Sequence, residues 1–440
     1  MAAPGRVTVV GLGFGDEGKG TIVDHLARRR GAAGVVRYSG GPQATHHVVL
    51  PDGRWHGFSQ LGAGSFVAGV ATHLTRDVLV DPVSLMREDE VLRGKGVPDA
   101  LARLTVDPRA ALVLPFHKMI GQLAELARGG EPHGTVGMGV GEAARERDTG
   151  LAIRLEDARD PRRLRERLAE RIPERLARAE ELCARAASAE ANERLAYFRR
   201  QLEVERLARI LSGFVTGYAA LLQPDETRLA ALAPAIFEGA QGVLLDPAAG
   251  FAPYVTKTPV AADHGGERLG VLRAYAHRHG PGPLPTEDPE MAERLPETHN
   301  VWNRWQGAFR VGPFDLVLAR YAAALARVHA VAVTCIDRVE ALGAIPVVTA
   351  YRHSGPVEPW FAEAFDFRAT DGGVIVDGIL PGAAHHADGL VRVLGACRPD
   401  GELRLDDGAA LCELLESPQG LALPIAITSS GPTWKDKTER

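Results

Sequence analysis

From Gly13 to Lys19 the chain reads Gly-Phe-Gly-Asp-Glu-Gly-Lys, a GxxxxGK spacing whose backbone N–H groups and lysine ammonium can converge on phosphate oxygens. Five glycines between Gly11 and Gly20 exceed what a plain strand-to-helix turn needs, so a phosphate cradle is expected ahead of a structural turn. Two features depart from the usual loop. Gly20 stands where Ser or Thr normally follows the lysine, and Asp16 and Glu17 bring negative charge into the cradle. A carboxylate beside phosphate is unfavourable unless it binds Mg²⁺ or removes a proton from a substrate, which makes Asp16 the candidate metal ligand and general base. Helix capping is the structural alternative.

A second signal is Thr334-Cys335-Ile336-Asp337, which follows the apolar run Val328–Val333 and is similar to the T-K-x-D signature of guanine readers, with Cys335 at the lysine position. A carboxylate at a strand's end accepts from both the ring N–H and the exocyclic amine of guanine, a pair adenine does not offer. Ser429-Ser430-Gly431-Pro432, after the run Leu423–Thr428, is a second strand-to-loop junction that could hold the base from its other side.

These loops need a sheet behind them. Val7–Val10, the loop, a helix through Thr21–Ala27 and a strand through Gly34–Tyr38 give β-α-β order, hence parallel pairing with a right-handed crossover. Further strands are expected at Ala235–Phe237, Val271–Tyr275, Val328–Thr334, Ile345–Thr349 and Leu423–Thr428. Between about 154 and 222, leucines spaced among Arg and Glu predict amphipathic helices punctuated by Pro161 and Pro173. Acids and bases interleave there, which marks solvated helix faces rather than a nucleic-acid surface. The predicted class is α/β, a large central mostly parallel sheet with a P-loop-like phosphate site, flanking helices and insertions. It is expected as a single domain over 1–440 with the charged helical insertion at 154–222.

Composition excludes other classes. Hydrophobic residues at 45% and charged residues at 24% are globular values, so disorder and fibrous repeats are set aside. A net charge of −5 removes the basic excess that nucleic acid or an anionic membrane would attract. The four cysteines are far apart with no CxxC pair, which points to reduced thiols, a cytoplasmic setting and no structural zinc. The short apolar run near the N-terminus ends in glycines and no apolar run of ~18 residues follows, so a soluble protein is expected.

Four motifs in order carry a resemblance: Gly15 to Gly20, Gly40-Gly41-Pro42-Gln43-Ala44-Thr45-His46, Glu238-Gly239-Ala240-Gln241-Gly242 and Pro253-Tyr254-Val255-Thr256. With Gly280 to Glu287, Thr334 to Asp337 and Ser430-Gly431-Pro432, the chain resembles the adenylosuccinate synthetase family from its first strand to its C-terminal loop. The resemblance implies a GTP-dependent ligase: the γ-phosphoryl group activates the 6-oxygen of IMP, and the amine of L-aspartate then displaces phosphate. It makes Asp16 base and Mg²⁺ ligand, His46 the catalytic acid, and Lys19 and Gln241 further catalytic groups. Gly15, Glu17, Gly18, Lys19, Gly20, Arg310, Asp337, Ser430 and Gly431 would bind GTP. Asp16, Val136, Gln241 and Thr256 would meet the acceptor nucleotide, Thr45 would give Mg²⁺ its main-chain carbonyl, and a homodimer is implied.

Departures concentrate where the acceptor and amine bind. The family's G-T-T-G-R-G-I-G is Gly134-Thr135-Val136-Gly137-Met138-Gly139-Val140-Gly141, so a phosphate-binding threonine hydroxyl is lost at Val136. The paired arginines that follow in the family have no clear equivalent among Arg145, Arg147, Asp148 and Thr149. In the amine-donor loop, with Gln306, Gly307 and Arg310, counting back from Asp315 of Gly312-Pro313-Phe314-Asp315 puts the family's three arginines at Gly307, Phe309 and Arg310. Losing two guanidinium forks weakens dicarboxylate recognition unless Arg304 or Arg310 takes over. Pro42-Gln43 and Phe14 also differ from the family pattern. Beside the IMP and aspartate reaction stand a paralogue using another oxo-purine or carbonyl acceptor and another amine, and a non-catalytic GTP-binding protein. Asp16 and His46 argue against the last, because a binding module has no need of a carboxylate in its phosphate cradle.

Overall fold

The computed structural model describes residues 5–297 and 299–440. They form two compact units, one of residues up to 26, 46–55 and 241–440, the other of 27–45 and 56–240.

In the first unit, the β-branched run inside Arg6–Gly11 is buried on both faces, as a central parallel strand requires. It pairs in parallel with Glu267–Arg273, which pairs in parallel with Ala330–Thr334. That strand pairs in parallel with Ile425–Ser429, and Lys437–Glu439 closes this side antiparallel. Because the first four strands run the same way, Gly11, Arg273, Thr334 and Ser429 all lie at carboxyl ends on one edge, where ligands of open α/β sheets bind. The expected strands at Val271, Val328, Ile345 and Leu423 are present, the one at Ile345 from its predicted start and the others within four residues of theirs. An antiparallel sheet follows, with Ile345–His353 between Gly373–Ile379 and Arg398–Leu405. Its inner face shares one apolar core with helix Leu316–Ala326, including Val317, Tyr321, Val347 and Val376.

Asp315 caps that helix from full burial, accepting from Leu318 N (2.9 Å), Tyr351 Oη (2.5 Å) and Thr286 Oγ1 (3.3 Å). Burial pushes its carboxyl up to about 6, against the pull of those donors. The folded chain therefore keeps a proton that the unfolded chain releases near its ordinary value of about 3.9, and this group's contribution falls as pH rises between about 4 and 6, by roughly 3 kcal/mol. Asp315→Asn keeps the cap and is expected to flatten the dependence of Tm on pH across that window; identical slopes for both proteins would refute the assignment.

In the second unit, Gly34–Arg37 pairs in parallel with Ala71–Leu74 and with the start of Ala235–Gly242, and Leu104–Val106 extends the row beyond Ala71–Leu74. The charged stretch is helical, as predicted, in Pro161–Ala186, Ala189–Arg199 and Val204–Gly217. One detail is corrected: Pro161 starts a helix, but Pro173 lies inside it and ends nothing. The ring removes one backbone donor. Leu164, Leu168, Ile172, Ala179 and Leu182 bury one face on both sides of the proline, and that packing carries the helix through. The class is α/β with mostly parallel pairing of the strands behind the site, as expected.

Candidate functional site

The phosphate loop is fixed from below. Gly15, Asp16 and Gly18 have φ of 87°, 61° and 90°, which turn successive peptides over. Carbonyls then face the protein, and each meets a donor: Gly13 O accepts from Leu244 N (3.0 Å), Gly15 O meets His277 Nε2 (2.6 Å), Asp16 O accepts from Arg273 Nε (2.6 Å) and Glu17 O from Thr334 Oγ1 (2.7 Å). With its carbonyls held there, the loop can direct backbone N–H groups outward, as anion-binding turns do. Helix Lys19–Arg29 starts from it and adds its dipole. Gly20 is explained by contact: a Cβ there would lie 2.8 Å from His47 O and 3.0 Å from His46, so the usual Ser or Thr does not fit. Gly242 is equally constrained, since its Cβ would lie 2.1 Å from Gly13 O.

The two acidic residues of the loop have opposite fates. Glu17 is fully buried, with Oε1 accepting from Gly15 N (2.8 Å) and Oε2 from Lys19 Nζ (2.7 Å). Burial drives its carboxyl up, but the Lys19 ammonium, His277 and the hydrogen bonds outweigh that and leave it below the ordinary range. The Asp16 side chain is 28% exposed, and His279 Nδ1 stands 4.0 Å from Oδ2. Neighbouring carboxylates in unlike surroundings take unlike roles. Glu17 is a strut inside the loop, and Asp16 is the carboxylate free to meet a ligand.

His46 is buried at the start of strand His46–Val49 and packs on Gly20. His47 stacks on His299 with centroids 4.6 Å apart. Burial, followed by His299, lowers its pKa to about 4, so this ring is neutral at working pH. Gln241 lies at the end of Ala235–Gly242, and its buried Oε1 has no hydrogen-bond partner within the protein. A buried amide oxygen left unpaired is unfavourable, so this oxygen is available to accept from a donor outside the chain. Thr256, partly buried, donates its N–H to Leu245 O (2.8 Å) and places its hydroxyl 3.4 Å from that of Thr258.

At the adjoining strand ends, Asp337 is exposed on the first turn after Cys335, whose φ of 60° makes the corner. Ser430 N donates to Asp436 O (3.0 Å), and Lys437 Nζ donates to Gly431 O (2.8 Å). Burial lowers the Lys437 ammonium to about 8, opposed by Asp436, Cys335, Asp24 and Asp337. The Asp337 carboxylate and a loop held by a buried lysine thus share one edge.

The loop expected to meet the amine donor is a closed turn. Asn303 O accepts from Gly307 N (2.8 Å), Asn303 Oδ1 from Gln306 N (2.8 Å), and Gly307 O lies 3.2 Å from His279 Nε2. Arg310 is committed elsewhere: it pairs with Glu287 at 2.6 Å and donates to Gly280 O (2.7 Å) and Gly282 O (2.7 Å). Arg304 lies over the Trp305 ring at 5.7 Å.

The other candidates belong to the second unit. Thr45 is exposed at the end of its glycine-started loop. Val136 is part-buried between Gly134 and Gly137, both with positive φ, and beside it Thr135 Oγ1 accepts from Gly137 N (3.3 Å). Arg145 pairs with Glu142 and Arg147 with Asp148, so both guanidiniums are engaged locally.

Sequence reasoning missed Arg273, His277 and His279, which support or face the loop. Their only trace is a short stretch, Arg273 to His279, in which four of seven side chains are basic. No spacing motif announces them, because the residues they hold are more than 250 positions away in the chain.

Residues 8–369 match the family model described as adenylosuccinate synthetase. A curated adenylosuccinate synthetase from Acidithiobacillus ferrooxidans is 34% identical, covering 98% of this chain and 97% of its own length. The Chlorobium chlorochromatii (strain CaD3) protein of that name is 31% identical, covering 81% and 82%. Among solved structures, the fully ligated adenylosuccinate synthetase from Plasmodium falciparum aligns over 99% of both chains with a TM-score of 0.73 at 20% identity. Cyanophage S-2L succinoaminodeoxyadenylate synthetase, bound to dGMP and dATP, aligns over 99% of this chain and 95% of its own with a TM-score of 0.55 at 16% identity. These two structural likenesses are likenesses of fold.

Proposed function

Because the chain belongs to the adenylosuccinate synthetase family, a family of GTP-dependent C–N ligases joining IMP to L-aspartate, we propose that its phosphate loop and the groups around it run that reaction. Asp16 takes the proton from the acceptor purine as its 6-oxygen attacks the γ-phosphorus. His46 stabilises charge developing on the transferred group, and Lys19 with the loop N–H groups holds the phosphates, since such transfer is governed by positioning and electrostatics. The amine then adds at C6 and phosphate leaves. Gln241 and Thr256 hold the acceptor, and Asp337 with Ser430-Gly431 reads guanine. Gly15, Gly18 and Gly20 give the loop its shape, with Glu17 as its strut.

Mg²⁺ belongs to this reading. A partly exposed Asp16 carboxylate, the main-chain carbonyl expected from Thr45 and phosphate oxygens are the hard donors this ion takes, and when bound it would neutralise phosphate charge. The observation that carries the proposal is the contrast inside the loop, one carboxylate buried against Lys19 and its neighbour left to face ligands.

A second reading keeps the phosphoryl transfer and changes the amine. It is favoured by Arg310, the one guanidinium retained from the family's three, being bound to Glu287 and two glycine carbonyls. Purified protein with GTP, Mg²⁺ and IMP separates the two when supplied with L-aspartate or a panel of other amines. Adenylosuccinate with aspartate supports the first; a product only with another amine supports the second. GTP binding without ligation under any donor would sink both and leave a non-catalytic GTP binder. Gln241→Leu is expected to raise the acceptor KM by about 10- to 100-fold, the loss of one ligand hydrogen bond, with the GTP KM unchanged. Equal shifts in both would move Gln241 out of the acceptor site.

A homodimer and a cytoplasmic location complete the proposal. No helix among the described residues is long and apolar enough to cross a membrane, and the four cysteines are free thiols. A sedimentation mass near twice 47.0 kDa would support the dimer, and a mass of one chain would oppose it.

A further inference from the structure

Arg273 ends strand Glu267–Arg273 and is only 8% exposed, yet its guanidinium reaches three parts of the site. Nε donates to Asp16 O (2.6 Å), while Nη1 donates to Glu297 Oε2 (2.9 Å) and to the Tyr275 hydroxyl. From the helix that carries Asp337, Arg338 joins the same cluster: Nη1 donates to the Tyr275 hydroxyl (2.9 Å) and to Glu297 (3.3 Å), and Nη2 to Pro296 O (2.6 Å). Burial and its two arginines, the first raising and the others lowering, leave the Glu297 carboxyl at about 2, so the cluster keeps its charges throughout the working range.

We propose that Arg273 is the positioning residue of Asp16, and that Glu297 and Arg338 make it a brace joining the phosphate loop to Pro296-Glu297 and to the Asp337 helix. The inference rests on the reading of Asp16 as the base and adds what aims it. A non-glycine residue at φ of 61° is strained by ~1–3 kcal/mol unless its surroundings hold it. The Asp16 carbonyl locked by Nε fixes the peptide after it, and with it the direction in which the Asp16 side chain leaves the backbone. A guanidinium is suited to the task because its planar fork bonds in two directions at once. A lysine ammonium at the same place could serve Asp16 O or Glu297 but would not hold them at a set angle.

The test uses the full-length protein with Arg273→Lys, Glu297→Gln, Asp16→Asn and the double variant Arg273→Lys/Asp16→Asn. A misaimed base costs on the order of 10²-fold in rate, so Arg273→Lys is expected to lower kcat by that order and Glu297→Gln by about tenfold, with the Kd for GTP within threefold of wild type. If Arg273 acts through Asp16, the double variant is no slower than Asp16→Asn alone, because effects on one unit do not add. Losses that multiply, or a Kd for GTP that rises in step with the fall in kcat, would show a general stabilising role and overturn the proposal. Hydrogen exchange supplies a readout independent of ligation. Glu297→Gln should speed exchange in residues 13–19 while leaving Pro161–Ala186 unchanged. Unchanged exchange in the loop overturns the brace even if the ligase is fully active, whereas faster exchange in a protein that makes no product would uphold the brace and refute the function.

Discussion

Asp16→Asn is expected to reduce ligation by about 10³-fold, within the range for loss of a positioned general base, while GTP binding stays near the wild-type value. The substitution is informative because it leaves the backbone alone. Asn tolerates positive φ better than almost any residue besides glycine, so the corner at 61° persists and Arg273 keeps its carbonyl acceptor. What disappears is the charge and basicity of a side chain that His279 Nδ1 approaches to 4.0 Å. Product formation measured by chromatography, together with GTP titration by calorimetry, separates the two effects. A fall of less than tenfold in kcat would mean that another group removes the proton, and a matching loss of GTP affinity would make Asp16 a binding residue only.

Lys19→Met is expected to cost more than its share of phosphate affinity. Lys19 and Glu17 are 2% and 0% exposed, 2.7 Å apart, so removing the ammonium leaves a buried carboxylate without its main partner. Breaking such a pair from one side destabilises by about 3–5 kcal/mol. Glu17→Gln/Lys19→Met should recover much of that stability, since no charge is stranded, without recovering GTP binding. The dependence on pH follows from the sign of the shift. In the wild type the Glu17 carboxyl lies below its ordinary value, so its stabilisation is present at neutral pH and is lost as pH falls through the acid range. In Lys19→Met, burial dominates and lifts the carboxyl, so the single variant should lose least stability relative to wild type at low pH. Thermal melts of the three proteins between pH 4 and 8 check this; a single variant as stable as the double at pH 8 would show that the stranded carboxylate carries no penalty.

The strand-loop-helix form around Gly13–Lys19 is legible from residue types alone because glycine spacing, strand and helix follow one another without a gap in the chain. The same holds for Thr334 to Asp337 and for Ser430-Gly431, where a short apolar run ends in polar residues and the structure ends a parallel strand there. What spacing does not reveal is direction. Asp16 and Glu17 are adjacent acids in the sequence, and only the positive φ of Asp16 and Gly18 sends one carboxylate into the protein and leaves the other facing out. Arg273 and His277 were invisible for a related reason, since a basic residue at a strand's end acquires meaning only from the carbonyls that the fold brings to it. Pro173 illustrates the converse. Its local preference argues for a break, and the apolar face on either side of it prevails. Gly20 is a bare departure from the usual loop in sequence, and the nearness of His46 and His47 makes it a steric requirement.

Activation of the 6-oxygen by phosphoryl transfer is tested most directly by isotope. IMP carrying ¹⁸O at position 6, incubated with the wild-type protein, GTP, Mg²⁺ and L-aspartate, should yield inorganic phosphate containing one ¹⁸O for every adenylosuccinate formed, with both signals absent in Asp16→Asn on the same timescale. Release of unlabelled phosphate, with the label retained on the nucleotide, would mean that GTP is hydrolysed by water and that the loop does not phosphorylate the acceptor.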